Sequence, residues 1–70
     1  MWSQGMENGN EYWVKHYEEG SEFGINGGRI SKLQINRDGR TVVSYERGWD
    51  IEPKSDEDKV FFSKLLATFN

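Results

Sequence analysis

The last third of the chain has the clearest pattern of apolar and polar positions. Ser55 is followed by three acids, which is typical of an N-cap and of a first helical turn that suits the helix dipole. Pro53 precedes this cap and disfavours an earlier helix start. Beyond the cap, apolar residues recur at helical spacing with lysines and small residues between them: Phe61, Phe62, Leu65, Leu66 and Phe69. The pattern predicts one helix over residues 55–69 with a single apolar face.

The remainder of the chain favours β-strands. Two dipeptides, Asn8-Gly9 and Asp38-Gly39, are strong hairpin signals. We assign each of them a three-residue loop that includes the preceding residue, because that register keeps the apolar side chains on one face. The resulting facing pairs include Trp2 with Val14 and Leu33 with Val43.

These elements predict an α+β fold, in which two β-hairpins form a four-stranded antiparallel sheet and one C-terminal helix packs on one face (ββββα). The hairpins cover residues 1–17 and 29–51, and a glycine-rich connector, residues 18–28, joins them in a single domain of residues 1–70. The second face of the sheet is expected to be partly open to solvent. The predicted core holds the apolar residues of the helix and one face of the sheet: Trp2, Tyr12, Val14, Leu33, Ile35, Val43 and Tyr45.

Composition narrows the class of protein. The chain has 70 residues and no cysteine, so neither a disulfide nor a thiolate metal site supports its small core. It has no run of about 18 apolar residues and no signal-peptide pattern, so we expect no membrane partner and a cytoplasmic location, in the host cytoplasm if the chain is phage-encoded. The net charge is −3, and five of the nine basic residues lie in residues 29–47, between two acidic segments. The interpretation we favour is that these segments pair within the fold.

Candidate catalytic residues are few. His16 is the only histidine, and no cysteine or second histidine is present to complete a metal or nucleophile site. Gly24, Gly27 and Gly28 ahead of Arg29 would suit an anion-binding nest, but their spacing matches neither the dinucleotide fingerprint nor the P-loop. We interpret these glycines as tight-turn residues. The sequence therefore predicts a non-catalytic protein with no cofactor and no metal.

Binding is the function that the residue types favour, since aromatic and arginine side chains are enriched in interface hot spots. A protein partner would contact the open face or an acidic set in the connector. The same face has the outline of a stacking platform for single-stranded nucleic acid, although the acidic net charge argues against this alternative. A homodimer formed through that face is a third alternative. The candidate partner-binding residues are Trp13, Lys15, Tyr17 and Arg40, with Glu18, Glu19 and Glu22 as the acidic set.

Two dense blocks of sequence carry a resemblance to a known family. They are residues 23–33 (FGINGGRISKL) and residues 45–50 (YERGWD), followed by Pro53. With them the chain resembles, over nearly its whole length, an uncharacterised family of small proteins from Gram-positive bacteria and their phages or mobile elements. The resemblance implies no catalytic or binding residue, since no activity is assigned to the family. It implies a setting in which small phage-borne domains block host proteins, so we expect an inhibitor of a bacterial defence system, as anti-CRISPR proteins are, with a defence nuclease as a typical partner.

Overall fold

The computed structural model describes all 70 residues as one antiparallel sheet with a helix on one of its faces. The strands lie side by side in chain order, and a single turn of 3-10 helix, Ile25–Gly27, lies in the connector. The predicted α+β class and C-terminal helix are confirmed, but the predicted four-stranded sheet is wrong because the sheet has five strands. In chain order the elements are β1 (Trp2–Glu7), β2 (Asn10–His16), β3 (Ile30–Arg37), β4 (Arg40–Glu46), β5 (Trp49–Ile51) and α1 (Asp56–Phe69).

The fifth strand follows a chain reversal inside the second dense sequence block. β4 ends at Glu46, and Arg47 then adopts a left-handed backbone conformation with φ of 58°. After this reversal Trp49 pairs with Tyr45. Arginine rarely adopts positive φ, so no residue at this position signals a turn in the sequence. The segment expected as one hairpin, residues 29–51, therefore contains three strands.

The first hairpin has a tighter turn than the three-residue loop we expected. Asn8 and Gly9 both have positive φ, 51° and 80°, which is the backbone of a two-residue type I′ turn. Trp2 consequently pairs with Lys15 rather than with Val14. A shift of one residue moves every side chain of a strand to the other face. The prediction that Trp2 belongs to the core is therefore wrong, and its side chain is 57% exposed.

The second hairpin also turns on two residues, Asp38 and Gly39, with φ of 53° and 76°. A register shift after Ile35 inserts one extra residue into β4, which sets Ile35 opposite Val43 and Leu33 opposite Tyr45. The predicted loop length and facing pairs are wrong here, but the predicted face is right. The bulge and the shorter turn compensate, so that all four apolar side chains still lie in the core.

The helix begins with the predicted cap. The Asp58 N–H donates to Ser55 Oγ at 3.1 Å, and the Ser55 N–H donates to Asp58 Oδ2 at 3.3 Å, which completes a capping box. Tyr12 and Phe69, among others, pack around the core as half-buried side chains. No helix in the structure is long and apolar enough to cross a membrane. The buried apolar core consists of Val14, Ile25, Ile30, Leu33, Ile35, Val43, Tyr45, Phe61 and Leu65.

A buried polar network ties the helix start to the turn end of the sheet. Arg37 Nη1 lies 2.7 Å from Asp58 Oδ1, and Arg37 Nε donates to Asn10 Oδ1 at 2.8 Å. Burial alone would raise the pKa of Asp58, but the hydrogen bonds from Arg37 and Ser55 outweigh it, so this pKa lies below its usual 3.8. The acidic segment and the basic segment therefore pair at this point, as the charge pattern indicated.

Candidate functional site

One face of the sheet has no helix over it and carries large apolar side chains. Trp2 and Met6 lie on β1 and are 57% and 69% exposed, and Trp13 lies beside them on β2. The two-residue turn of the first hairpin places all three on this face. A groove of about 380 Å³ runs across it, lined by Trp2, Trp13, Lys32, Gln34, Ser44 and Glu46 among others.

A lysine lies between two aromatic rings at one edge of this face. Lys15 Nζ is 5.8 Å from the Trp2 ring and 5.7 Å from the Tyr17 ring, both within cation–π distance. These three residues are called the aromatic–lysine cluster below. Both rings attract the same ammonium group, which favours its position between them.

A second depression of about 350 Å³ lies next to the groove and shares Lys32 and Glu46 with it. We call this depression the cationic cleft. Arg47 extends over the Phe23 ring, with its guanidinium carbon 4.6 Å from the ring centroid, and Lys32 Nζ lies 3.2 Å from Glu46 Oε1. The cleft is lined by Lys15, Tyr17, Ser21, Phe23, Ser31, Lys32, Glu46 and Arg47.

The electrostatics of the cleft are visible at Tyr17. The pKa of its hydroxyl is lowered from the usual 10.0, chiefly because a hydrogen bond from Lys15 favours the phenolate. Partial burial opposes this effect, and Ser31 and the charge of Arg47 add to it. The positive charges of Lys15 and Arg47 therefore both favour the ionised form of this hydroxyl.

The structure separates the predicted partner-binding residues into three places. Trp13, Lys15 and Tyr17 lie together, as expected from their positions on and after β2. Arg40 is the first residue of β4 and Glu46 is the last, and the six steps of ~3.3 Å between them amount to about 20 Å. Arg40 is therefore remote from the aromatic–lysine cluster. The acidic set, Glu18, Glu19 and Glu22, is exposed on the connector.

The glycines that suggested an anion nest have packing roles instead. A side chain on Gly24 would collide with the backbone of Gly28, and one on Gly28 would collide with the Asn70 side chain. Asn70 holds this region by accepting from the Ile30 N–H at 2.9 Å and donating to the Ile25 carbonyl at 3.1 Å. The interpretation of these residues as tight-turn glycines agrees with this packing.

His16 lies next to a hydroxyl group that the sequence pattern did not connect with it. Ser3 Oγ is 2.9 Å from His16 Nε2, and the imidazole packs 5.0 Å from the Phe69 ring. Burial, the N-terminal ammonium and Arg29 lower the pKa of His16 from 6.5, so the ring is neutral at physiological pH. No carboxylate contacts its other nitrogen to orient it, as nucleophilic catalysis would require. No group of three or more His, Asp or Glu side chains is arranged to hold a metal ion.

Sequence reasoning missed three residues of this surface. Trp2 was placed in the core, and neither Phe23, which is 47% exposed, nor Arg47 was among the predicted partner-binding residues. For Trp2 a signal was present in the Asn8-Gly9 dipeptide, which favours a two-residue turn. In the resulting register Gly5 lies opposite Tyr12, and a Cβ there would lie 2.5 Å from the Tyr12 hydroxyl. A glycine under an aromatic ring fixes which face of β1 is the core face.

A protein-family model matches the chain over its whole length. The family model described as a domain of unknown function, DUF7678, matches residues 1–70. No curated protein and no solved structure matches the chain. The match agrees with the uncharacterised family of small proteins that the two sequence blocks indicated, and it leaves the function to be argued from the surface.

Proposed function

The chain belongs to the DUF7678 family, and we propose that it is a non-catalytic protein-binding domain that contacts its partner through the open face of the sheet. The observation that carries this proposal is the exposure of Trp2, Met6 and Tyr17 on or beside a face without a helix. Contiguous apolar patches with polar rims typically mark interaction sites on small soluble proteins. Tryptophan and tyrosine are also the residue types that dominate interface hot spots.

The side chains around the groove define the chemistry of the partner. Lys15 and Lys32 provide positive charge beside Trp2 and Trp13, and Glu46 is the carboxylate that lines the groove. A complementary partner surface therefore presents an apolar side chain for the groove and a carboxylate for Lys15. The acidic connector, which carries Glu18, Glu19 and Glu22, offers a separate contact for a basic region of the same partner.

A narrower proposal follows from the resemblance to small proteins of Gram-positive bacteria and their phages. In this setting the partner is a host defence protein in the bacterial cytoplasm, such as a CRISPR nuclease, and binding blocks it. The small size of the chain and its exposed aromatic face support an inhibitor that acts by occupying a surface.

A second candidate is a single-stranded nucleic-acid-binding module on the same face. The observation that favours it is the alternation of aromatic ring, lysine and aromatic ring in Trp2, Lys15 and Tyr17, which would suit stacked bases beside phosphates. Binding would then weaken steeply with added salt, because counterions are released from the phosphate backbone.

The deciding experiment is a pull-down with the tagged chain from bacterial lysate, with and without nuclease treatment. Trp2→Ala and Tyr17→Ala remove rings of the cluster, and Val60→Ala removes an apolar side chain that is 71% exposed on α1 as the matched control. We expect a stoichiometric partner that survives nuclease, stays with Val60→Ala and binds at least about tenfold more weakly to the two ring variants.

Three outcomes would contradict the proposal. Equal retention of the partner by all variants would place the contact elsewhere on the molecule. Recovery only without nuclease would favour the nucleic-acid candidate. A concentration-dependent dimer in sedimentation that Trp2→Ala abolishes would show that a second copy covers the face.

A further inference from the structure

We propose that the cationic cleft binds a phosphomonoester group in its dianionic form. This inference goes beyond the proposed function and does not rest on it, because it needs no protein partner. The cleft lies beside the groove, shares Lys32 and Glu46 with it, and adds Ser21, Phe23 and Arg47. Three independent features of the cleft, in its charges, its backbone and its hydroxyl groups, lead to this ligand.

The charges of the cleft are unbalanced. Lys15 and Lys32 face each other directly across β2 and β3, which is a destabilising arrangement for like charges in a sheet. Glu46 pairs with Lys32, but no carboxylate lies within ion-pair distance of Lys15 or Arg47. Two fixed positive charges at one concavity therefore remain without a counter-charge, which a bound dianion would supply.

Two departures from regular backbone geometry meet at the same place. Arg47 has a left-handed conformation, with φ of 58°, that side chains other than Asn, Asp and His rarely adopt. A β-bulge between Lys15 and His16 leaves Ser31 as the extra residue of β3. The Arg47 N–H donates to the Ser31 carbonyl at 2.9 Å, which locks the two irregularities together. Bulges and strained residues that direct side chains into a concavity are typical of functional sites.

The hydroxyl groups of the cleft fit a ligand with several oxygens. Tyr17 and Ser21 line it together with the two unpaired cations, whereas the Ser31 hydroxyl already donates to the Lys15 carbonyl at 3.4 Å. Ser21 Oγ accepts from the Phe23 N–H at 3.3 Å, which leaves its own hydroxyl hydrogen to donate. A phosphoryl group offers three strong acceptor oxygens and two negative charges to these donors, whereas a carboxylate offers two oxygens and one charge.

No cation continues from the cleft into the groove, although Met1 and Arg29 line the depression on the other side of Tyr17. Beyond Lys15 and Lys32 the groove is lined by Gln34, Ser44 and Glu46, which offer no further positive charge to successive phosphates. A polynucleotide needs such a track along its backbone. The cleft therefore suits one terminal phosphoryl group rather than a chain of phosphodiesters.

The test is a ¹H–¹⁵N NMR titration of the full chain with inorganic phosphate and with phenyl phosphate at constant ionic strength. At about pH 7.5 phenyl phosphate is mainly dianionic, because the second pKa of a phosphomonoester is about 6. We expect saturable shifts of the Ser31, Lys32 and Arg47 amides. Dimethyl phosphate, which is a monoanionic diester, should shift these amides much less at the same concentration.

Variants assign the binding to the cleft. Lys15→Gln and Arg47→Gln should each weaken phenyl phosphate binding by about tenfold or more, which is the loss of one charge-assisted hydrogen bond. Arg40→Gln is the matched control, since it removes the same charge at the far end of β4 and should bind like the wild type. If Arg47→Gln unfolds because of its backbone conformation, Lys15→Gln decides alone.

The proposal is overturned by any of three results. One is the absence of saturable shifts at these amides, and another is equal weakening by Arg40→Gln, which would indicate only diffuse charge attraction. The third is tighter binding of dimethyl phosphate, or of an oligonucleotide without terminal phosphates, than of phenyl phosphate. Weaker binding on lowering the pH below about 6, where the probe becomes a monoanion, would support it.

Discussion

The left-handed conformation of Arg47 predicts that glycine at position 47 gives a more stable protein than alanine, which is the reverse of the usual order of these two residues. Alanine and glycine at position 47 both remove the guanidinium and its contact with the Phe23 ring, so that loss is common to the two variants. They differ in the backbone, because at φ of 58° a Cβ costs about 1 kcal/mol and glycine avoids this cost. Arg47→Gly should therefore be more stable than Arg47→Ala by about 1 kcal/mol, although glycine is normally the less stabilising residue.

Urea unfolding of the two variants, followed by tryptophan fluorescence, measures this difference. Trp49 is a suitable reporter, since its ring packs against Tyr45 and Phe62 at 5.0 and 5.3 Å. A difference of 1 kcal/mol corresponds to about 4–8 °C in Tm for a domain of this size. Gly48→Ala is the control, because nothing lies within 4 Å of a Cβ there and its φ lies outside the left-handed region. Equal stability of Arg47→Ala and Arg47→Gly would refute the claim that Arg47 is strained.

Two further predictions concern Asp58 at the start of α1 and His16, which packs against Phe69 at the end of α1. Asp58→Ala should lower the free energy of unfolding in urea by about 3 kcal/mol, because it removes the capping box and leaves Arg37 without its closest partner. Glu57→Ala removes an exposed partner at 3.4 Å from Arg37 and should lower it by less than about 1 kcal/mol. Similar losses in both variants would contradict this prediction. Because the pKa of His16 is lowered in the native state, its imidazole binds a proton more readily in the unfolded chain, so the free energy of unfolding declines as the pH falls below 6.5. His16→Gln should make the urea midpoint depend less steeply on pH in this range. An unchanged slope would contradict the lowered pKa of His16.

The helix and the composition of the core were predictable because their signals are local. The capping box is formed by Ser55 and Asp58 within four residues of sequence, and helical spacing of apolar residues needs no knowledge of the rest of the chain. Strand register depends on turn length, and here the preference for three-residue loops misplaced β1 by one position. The Asn8-Gly9 dipeptide is itself the strongest two-residue signal, and Gly5 opposite Tyr12 agrees with it.

The candidate site was only half predictable for a different reason. Trp13, Lys15 and Tyr17 are close in sequence, so a strand alone brings them together on or beside one face. Phe23, Ser31 and Arg47 reach the cleft from the connector, from a bulge and from the turn before β5. Their meeting depends on the order of five strands and on a turn at an arginine, which no local pattern indicates.

The two ends of the sheet differ in how well local preferences agree with the fold. At one end both hairpins use their preferred type I′ residues, and Asp58 pairs with the partly buried Arg37, although a bulge also interrupts β4 there. At the other end a lysine faces a lysine, an arginine adopts a left-handed conformation and a bulge interrupts β3. A natural sequence is expected to be consistent across levels except where function requires otherwise. Since a 70-residue chain has only about 4–10 kcal/mol of stability in total, unfavourable choices collected at one end are a substantial cost, and a ligand at the cationic cleft is the simplest reason for their persistence.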